Sequence, residues 1–136
     1  GHTNMGLVLS KNGPTADCSS AGAQIKGVNG ITLTDLGFDC RTSLHCGAGA
    51  PRFNVITSDN VMHFGGGCAN STQTPLPQAG WTRCRFNPTD AAQMFPPIPA
   101  GQKVIYMDIT FDEGTDQGTG LAIIDNIEIN GVLVDK

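Results

Sequence analysis

Apolar and polar residues alternate with a period of two along most of this chain, which is the pattern of strands that bury one face. In the stretch 103–111 the predicted inward residues are Ile105, Met107, Ile109 and Phe111. In the stretch 121–129 the odd positions are apolar except Asp125. We expect that carboxylate to have a partner, because burying an unpaired charge is prohibitive.

Turn residues separate these strands. Ser58-Asp59-Asn60 lies between two apolar runs at 53–57 and 61–64 and predicts a hairpin. Asn130-Gly131 predicts a second, because both residues tolerate positive φ. Between Leu33 and Leu36 the apolar positions change from odd to even, which predicts a β-bulge near Thr34-Asp35.

The number of predicted strands determines the expected fold. Eight or nine short strands separated by turn signals are typical of an all-β protein. We therefore predict one domain over residues 1–136, a two-sheet antiparallel β-sandwich of jelly-roll type with disulfides. Residues 5–11 alternate, with Met5, Leu7 and Leu9 on one face. Segment 1–11 is thus predicted to be an edge strand, either of its own sheet or donated to a neighbouring molecule.

Composition excludes several classes of function. The chain has 136 residues, a formal net charge of -4 and no basic run, which argues against nucleic-acid binding. No apolar stretch approaches the roughly 18 residues that span a bilayer, so membrane insertion is not expected. No signal peptide is visible, and we interpret the chain as the mature form of an exported protein.

The five cysteines include no C-x-x-C pair, and in a small domain this favours disulfides over zinc. The expected location is therefore extracellular or at the cell surface. Cys46 and Cys68 flank the first hairpin and are the first predicted pair. Cys40 and Cys84 lie on apolar strand faces and form either a bridge through the core or two buried thiols. Cys18 is then a free thiol or half of an intermolecular bond.

Two groups of side chains could bind a ligand. The acidic loop Asp112–Asp116 provides oxygen donors at close spacing, and a possible calcium site comprises Asp112, Glu113, Asp116 and Asp125. The alternative is an acidic turn in which Asp125 pairs with Arg41 or Arg52 or caps backbone amides. Trp81 shares a strand face with Arg83 and Arg85, so these three residues could form a platform for a sugar ring. The alternative is that Trp81 only covers the sheet.

Several segments carry a resemblance to known proteins: Leu33-Thr-Asp-Leu-Gly-Phe-Asp39, His45-Cys-Gly-Ala-Gly-Ala-Pro-Arg-Phe-Asn-Val55, Phe111-Asp-Glu-Gly-Thr-Asp116 and Ile124-Asp-Asn-Ile-x-x-Asn-Gly131. Together with Trp81-Thr-Arg they resemble an uncharacterised group of secreted bacterial β-sandwich proteins. The last segment is also distantly similar to the final strand of jelly-roll carbohydrate-binding modules. Core residues of ordinary kind are expected at positions 40 and 84 in that group, which makes pairing of Cys40 with Cys84 more plausible here.

Three functions are consistent with these observations. The first is a non-catalytic extracellular structural subunit that assembles with copies of itself, as a filament or surface layer, by donating strand 5–11. The second is an extracellular carbohydrate-binding module with a structural calcium, whose partner is a polysaccharide. The third, a hydrolase, has no support, because no Gly-x-Ser-x-Gly elbow occurs and oxidation of Cys46 would remove the thiol beside His45. No catalytic residue is predicted.

Overall fold

The computed structural model describes residues 6–13, 20–112 and 120–134, which form eleven strands. In chain order these are β1 (Leu7–Lys11), β2 (Ala21–Gln24), β3 (Leu36–Arg41), β4 (Arg52–Thr57), β5 (Met62–Gly66), β6 (Thr72–Pro75), β7 (Trp81–Phe86), β8 (Met94–Phe95), β9 (Val104–Phe111), β10 (Gly120–Ile129) and β11 (Val132–Leu133). One 3₁₀ turn, Cys68–Asn70, connects β5 to β6.

The strands form two antiparallel sheets. Sheet A has the order β1-β10-β3-β7-β6, with β11 beside β10, and sheet B has the order β2-β9-β4-β5-β8. Setting aside the short edge strands β6, β8 and β11, the chain crosses between the sheets in the sequence of a jelly roll. The predicted all-β sandwich is confirmed. Within the described ranges, no helix is long and apolar enough to cross a membrane.

Three phenylalanines from three strands form the centre of the core between the sheets. The ring of Phe38 lies 5.6 Å from that of Phe53 and 6.0 Å from that of Phe86, and the last two rings meet edge to face at 5.8 Å. All three are fully buried. Aromatic pairs of this geometry contribute about 0.5–1.5 kcal/mol each beyond the area that they bury.

The change of phase near Thr34-Asp35 is not a bulge. Thr32 pairs with Lys103 at the margin of sheet B, whereas Leu36 already pairs with Phe86 in sheet A. The chain therefore crosses from sheet B to sheet A between these residues. Because the two sheets face each other, the side chains that point into the core change from odd to even positions at the crossing. In β9 a register shift opposite Ile56 and Thr57 buries Val104 and leaves Ile105 exposed, which corrects the inward position predicted for Ile105.

A bulge does occur in β10. Asp125 pairs with Asp39 and Glu128 with Gly37, so two residues of β10, 126 and 127, lie opposite Phe38 alone. Asn126 takes a left-handed conformation there, with φ of 48°. Ala122 and Ile124 are buried before the bulge and Ile129 after it. The prediction that Asp125 lies on the apolar face was wrong, because alternation before the bulge has the opposite parity.

Candidate functional site

The outer face of sheet A carries a buried carboxylate. Asp39 of β3 is only 2 % exposed, although it faces away from the core. The Arg83 guanidinium donates to both of its oxygens, Nε to Oδ1 at 2.9 Å and Nη2 to Oδ2 at 3.1 Å. Asn126 adds a bond from Nδ2 at 2.8 Å. Asp39 raises the pKa of Arg83, because the hydrogen bonds to the carboxylate stabilise the charged guanidinium.

A recess opens beside this ion pair. It has a volume of about 120 Å³ and contains the only tryptophan of the chain. We call this cavity the Trp81 recess. It is lined by Gly6, Asp39, Leu76, Gln78, Trp81, Ile123, Asp125 and Asn126. The Arg41 guanidinium lies 5.7 Å from the centroid of the Trp81 ring, at cation–π distance. The recess thus combines an aromatic ring with carboxylate and amide groups.

The three residues predicted as a sugar platform share a strand face but differ in their contacts. Trp81, Arg83 and Arg85 do lie on one face of β7, as the alternation indicated. Arg83 is engaged by Asp39, however, and Arg85 donates from Nη2 to Glu128 at 2.6 Å. Both guanidinium groups pair with carboxylates of this chain, and sugar binding by these three residues stays a prediction. Asp39, Asp125 and Asn126 were missed, because the bulge that brings Asn126 to this face has no sequence signature.

The described members of the predicted calcium site do not come together. Asp112 follows β9 and receives bonds from Arg52 at 2.5 and 3.0 Å, which lowers the pKa of its carboxyl. Asp125 lies five residues into β10 from Gly120, about 17 Å along the strand. It lines the Trp81 recess instead, and its Oδ1 accepts a bond from the Asn126 N–H at 2.8 Å, so it caps a backbone amide, as one of the alternatives predicted. Glu113 and Asp116 lie outside the described residues, so calcium binding there stays a prediction.

The cysteines converge at one place. Cys46 and Cys68 form a disulfide with their Cα atoms 5.4 Å apart, as predicted. Cys40 and Cys84 are buried free thiols, with the sulfur atoms 3.7 Å apart. The predicted disulfide between them was therefore wrong, and the alternative of two buried thiols holds. Cys40 lies opposite Thr82, and Cys84 lies opposite Phe38, so the two cysteines are diagonal neighbours. Diagonal positions are about 7 Å apart, whereas a disulfide needs Cβ atoms about 4 Å apart.

The two free thiols influence each other's ionisation. Hydrogen bonding to Cys84, with burial, raises the pKa of Cys40 far above its usual range. Hydrogen bonds from Cys40 and then Ser71 lower the pKa of Cys84, against the opposite effect of burial. The two shifts have one cause, the contact between the two sulfur atoms, in which either thiol can donate. Cys18 lies outside the described residues, and its predicted state is untested.

The outer face of sheet B holds a second group of side chains that sequence reasoning missed. Phe64 and Phe95 pair across β5 and β8, and each is about two-fifths exposed. Next to them, Asn54 donates to Asp108 at 2.7 Å, and the Tyr106 hydroxyl donates to the same carboxylate at 2.8 Å. Asp108 raises the pKa of Tyr106, because the neutral phenol is the donor. Alternation at 52–56 and 106–110 was the available signal, since it places these polar residues outward.

The predicted assembly strand occupies an edge. β1 pairs with β10 over five residues, from Leu7 opposite Ile124 to Lys11 opposite Gly120. Leu9 is buried and Leu7 packs partly against the core. Val8, on the opposite face, is 56 % exposed. Met5 lies outside the described residues. The inward orientation predicted for Leu7 and Leu9 is confirmed.

Comparison with known proteins found no matching family model, no matching curated protein and no matching solved structure.

Proposed function

We propose that this protein is a non-catalytic extracellular structural subunit that assembles with copies of itself by exchanging β1. The observation that carries the proposal is the pairing of β1 with β10 at the edge of sheet A. β1 is a short edge strand whose inner face carries Leu7, Leu9 and the buried Lys11, and β10 is a long strand whose edge would accept an identical strand. One chain therefore contains both a donor and a matching acceptor.

The energetics of exchange are close to neutral. A donated β1 would make the same five residue pairs with the β10 of a neighbour that it makes within its own chain. Leu9 would fill the same core position. Exchange of identical contacts adds little enthalpic cost, and the balance is then decided by concentration and by the connecting segment. Residues 12–20 join β1 to β2, which belongs to the other sheet.

Exposed apolar side chains along the same edge support association. Val8 faces solvent on β1, opposite Ile123, and Leu121 is exposed on the adjoining part of β10. Contiguous apolar surface at a sheet edge is a common property of protein interfaces. An assembled chain would cover part of this surface in addition to the exchanged strand. The disulfide Cys46–Cys68 is compatible with the extracellular location of the proposal.

A cross-linking experiment with two variants, each carrying one added cysteine, tests the exchange. Val8→Cys and Ile123→Cys are each made in a Cys18→Ser background and mixed at high concentration under mild oxidation. The two positions are direct partners of β1 and β10, but in this mixture they lie on different chains. Exchange predicts a covalent heterodimer on a non-reducing gel, with a yield that rises with protein concentration.

The matched control replaces Ile123→Cys by Val132→Cys, which is also on sheet A and is strongly exposed, but pairs with Ile129 rather than with β1. We expect no cross-link above background between Val8→Cys and Val132→Cys. Equal yields in both mixtures would show random collision, and no heterodimer at any concentration would contradict the exchange of β1.

A carbohydrate-binding module is the second candidate, and the Trp81 recess favours it. A sugar ring stacks its C–H face on an aromatic side chain, while its hydroxyl groups bond to carboxylate and amide groups nearby. The recess supplies Trp81 together with Asp125, Asn126 and Gln78. A volume of about 120 Å³ is small, so we propose one terminal or protruding sugar unit rather than a long chain. Any structural calcium would use the loop that contains Glu113 and Asp116.

Because Trp81 is the only tryptophan, its fluorescence reports on the recess alone. Saccharides that bind on a glycan array should change this fluorescence in a saturable manner, and Trp81→Ala should abolish binding on the array. Phe95→Ala, on the outer face of sheet B, is the matched control and should bind normally. If the wild-type protein binds no glycan on the array, the carbohydrate-binding function is contradicted and the proposed exchange of β1 is unaffected.

A further inference from the structure

Four cysteine sulfur atoms from separate parts of the chain meet inside the sandwich. We call Cys40, Cys46, Cys68 and Cys84 the four-cysteine cluster; their sulfur atoms all lie within 4.8 Å of one another. Cys40 comes from β3, Cys84 from β7, Cys68 from the 3₁₀ turn and Cys46 from the connection between β3 and β4. Three of the four side chains are buried and that of Cys46 is half-buried.

The cluster has nearly the dimensions of a tetrahedral thiolate site. A zinc–sulfur distance of about 2.3 Å requires sulfur–sulfur edges of about 3.8 Å. Cys40 lies 3.7 Å from Cys84 and 3.0 Å from Cys46. These edges are within about 1 Å of the requirement, and the larger change is confined to Cys46 and Cys68, which must separate from bonding distance to about 3.8 Å.

We propose that the four-cysteine cluster binds one Zn²⁺ when the Cys46–Cys68 bond is absent. The reduced state is that of the newly synthesised chain before oxidation, and a dithiol or phosphine regenerates it by supplying two electrons while two protons form the thiols. Zinc then displaces the four thiol protons and leaves a site with two net negative charges. The cluster would exist in two exclusive states, a disulfide with two thiols or a zinc tetrathiolate.

Reduction should not disperse the sulfur atoms, because backbone hydrogen bonds hold the two loops together. Gly67 donates its N–H to the Ala48 carbonyl at 2.6 Å, and Ala69 donates to that of Gly47 at 3.0 Å. The Asn70 side chain adds a bond to Ala48 at 2.9 Å. These contacts join the segment after Cys46 to the turn of Cys68 independently of the disulfide.

The sheet provides a second, independent reason. Cys40 and Cys84 are fixed on adjacent strands as diagonal neighbours, a placement unfavourable for a disulfide. Both nevertheless point into the core toward Cys46, where a metal ion could use the two sulfur atoms that have no disulfide partner.

Cobalt is the probe, because Co²⁺ in a tetrahedral thiolate site absorbs visible light. Wild-type protein is reduced with a phosphine, transferred to argon-purged buffer and titrated with Co²⁺ alone. We expect saturation at one equivalent, with ligand-field bands and sulfur-to-cobalt charge-transfer absorption, and full displacement by Zn²⁺. The oxidised protein should show neither the ligand-field bands nor the charge-transfer absorption. Zn²⁺ should also raise the Tm of the reduced protein and leave that of the oxidised protein unchanged.

Serine variants identify the ligands. Cys40→Ser and Cys84→Ser retain both disulfide cysteines, and each should weaken Co²⁺ binding more than about 100-fold, since even loss of an outer-shell partner costs about 10–100-fold. Cys18→Ser is the matched control and should bind as wild type does. If a variant fails to fold, the number of ligands is read from the wild-type protein. The intensity of its charge-transfer band increases with the number of bound thiolates. Folded, reduced protein without Co²⁺ absorption, intensity typical of two thiolates, or unchanged binding in both variants would overturn the proposal.

Discussion

Asp39 and Arg83 lie directly opposite each other on β3 and β7, and the guanidinium bonds to both carboxylate oxygens. On its other side Asp39 lies opposite a second carboxylate, Asp125 of β10. Like charges in direct cross-strand positions are destabilising. The arginine therefore offsets two unfavourable effects, the burial of Asp39 and its repulsion by Asp125, on a face that remains next to solvent at the Trp81 recess.

Arg83→Met should lower the free energy of unfolding by about 1–3 kcal/mol, because it removes the counter-ion of the buried Asp39 carboxylate, while the 38 % exposure of Arg83 lets solvent offset part of the loss. Urea denaturation at neutral pH measures this loss. The double variant Asp39→Asn/Arg83→Met should recover a large part of it, since no buried charge remains. A double variant as unstable as the single one would show that the arginine acts through packing rather than through charge.

Gly37 is required by the close packing of Arg85 on the same face. The Arg85 side chain crosses Gly37 to reach Glu128, and a Cβ atom at position 37 would collide with the Cys84 carbonyl oxygen and approach the Arg85 side chain to 2.8 Å. Gly37→Ala should therefore destabilise the domain by about 1–3 kcal/mol. Thermal denaturation checks this. The matched control Gly27→Ala meets no atom within 4 Å, so any loss there arises from its positive φ alone.

Asn130 connects the β10–β11 turn to the crossing segment 32–35. Its Oδ1 accepts bonds from the Thr34 N–H at 2.7 Å, the Thr34 hydroxyl at 3.0 Å and the Asp35 N–H at 3.2 Å, and its φ is 54°. Asn130→Gly retains the left-handed backbone and loses only the bonds, at about 1–3 kcal/mol. Asn130→Ala loses both and should cost about 1–2 kcal/mol more. Equal chemical denaturation midpoints for the two variants would contradict a contribution of backbone conformation.

Stability should fall in acid through the Asp112–Arg52 pair. The pKa of Asp112 is lower in the folded protein, so its contribution is present above its unfolded value of about 3.9 and is lost as pH falls through the folded value. Because Asp112 is one-third exposed, we expect Asp112→Asn to cost only about 0.5–1 kcal/mol at neutral pH and almost nothing near pH 2. Unfolding free energies of both proteins measured across this range test the sign. In an Arg52→Gln background the same substitution should produce no comparable pH dependence.

Deletion of residues 1–11 should abolish self-assembly and leave a folded domain. β1 contributes one fully buried apolar side chain, Leu9, so the deletion should cost about 1.5–3 kcal/mol of stability from that burial. Size-exclusion chromatography over a range of concentrations measures assembly, and circular dichroism measures the fold. Polymers that persist in the shortened chain would exclude β1 as the exchanged element.

Local signals in the sequence predicted a large part of this fold. Asn130-Gly131 and Ser58-Asp59-Asn60 each form the predicted hairpin, because the residues that tolerate turn conformations lie between matched apolar runs. The Cys46–Cys68 pair followed from the first hairpin, which returns the chain to its starting point. These features depend on neighbours in sequence, so they could be read without a tertiary structure.

The remaining features depend on tertiary structure. The bulge at Asn126 reverses the parity of β10, and an asparagine within an alternating run does not signal this by itself. The crossing at 32–36 has the same sequence pattern as a bulge, since both shift the alternation by one residue. The diagonal placement of Cys40 and Cys84 depends on the register of β3 against β7, and no pattern in the sequence indicates that register. The convergence of four sulfur atoms was unpredictable for the same reason.

The bulge also divides β10 into two halves that tolerate insertions and deletions differently. A residue deleted from the first half would turn Ala122 and Ile124 toward solvent and break the seam with β1, whereas Ile129 would keep its place beside Leu36. Loop grafting at the β9–β10 end therefore has to conserve residue parity up to Asn126. At the β11 end, the residue parity that has to be conserved is counted separately, from Asn126 to Ile129.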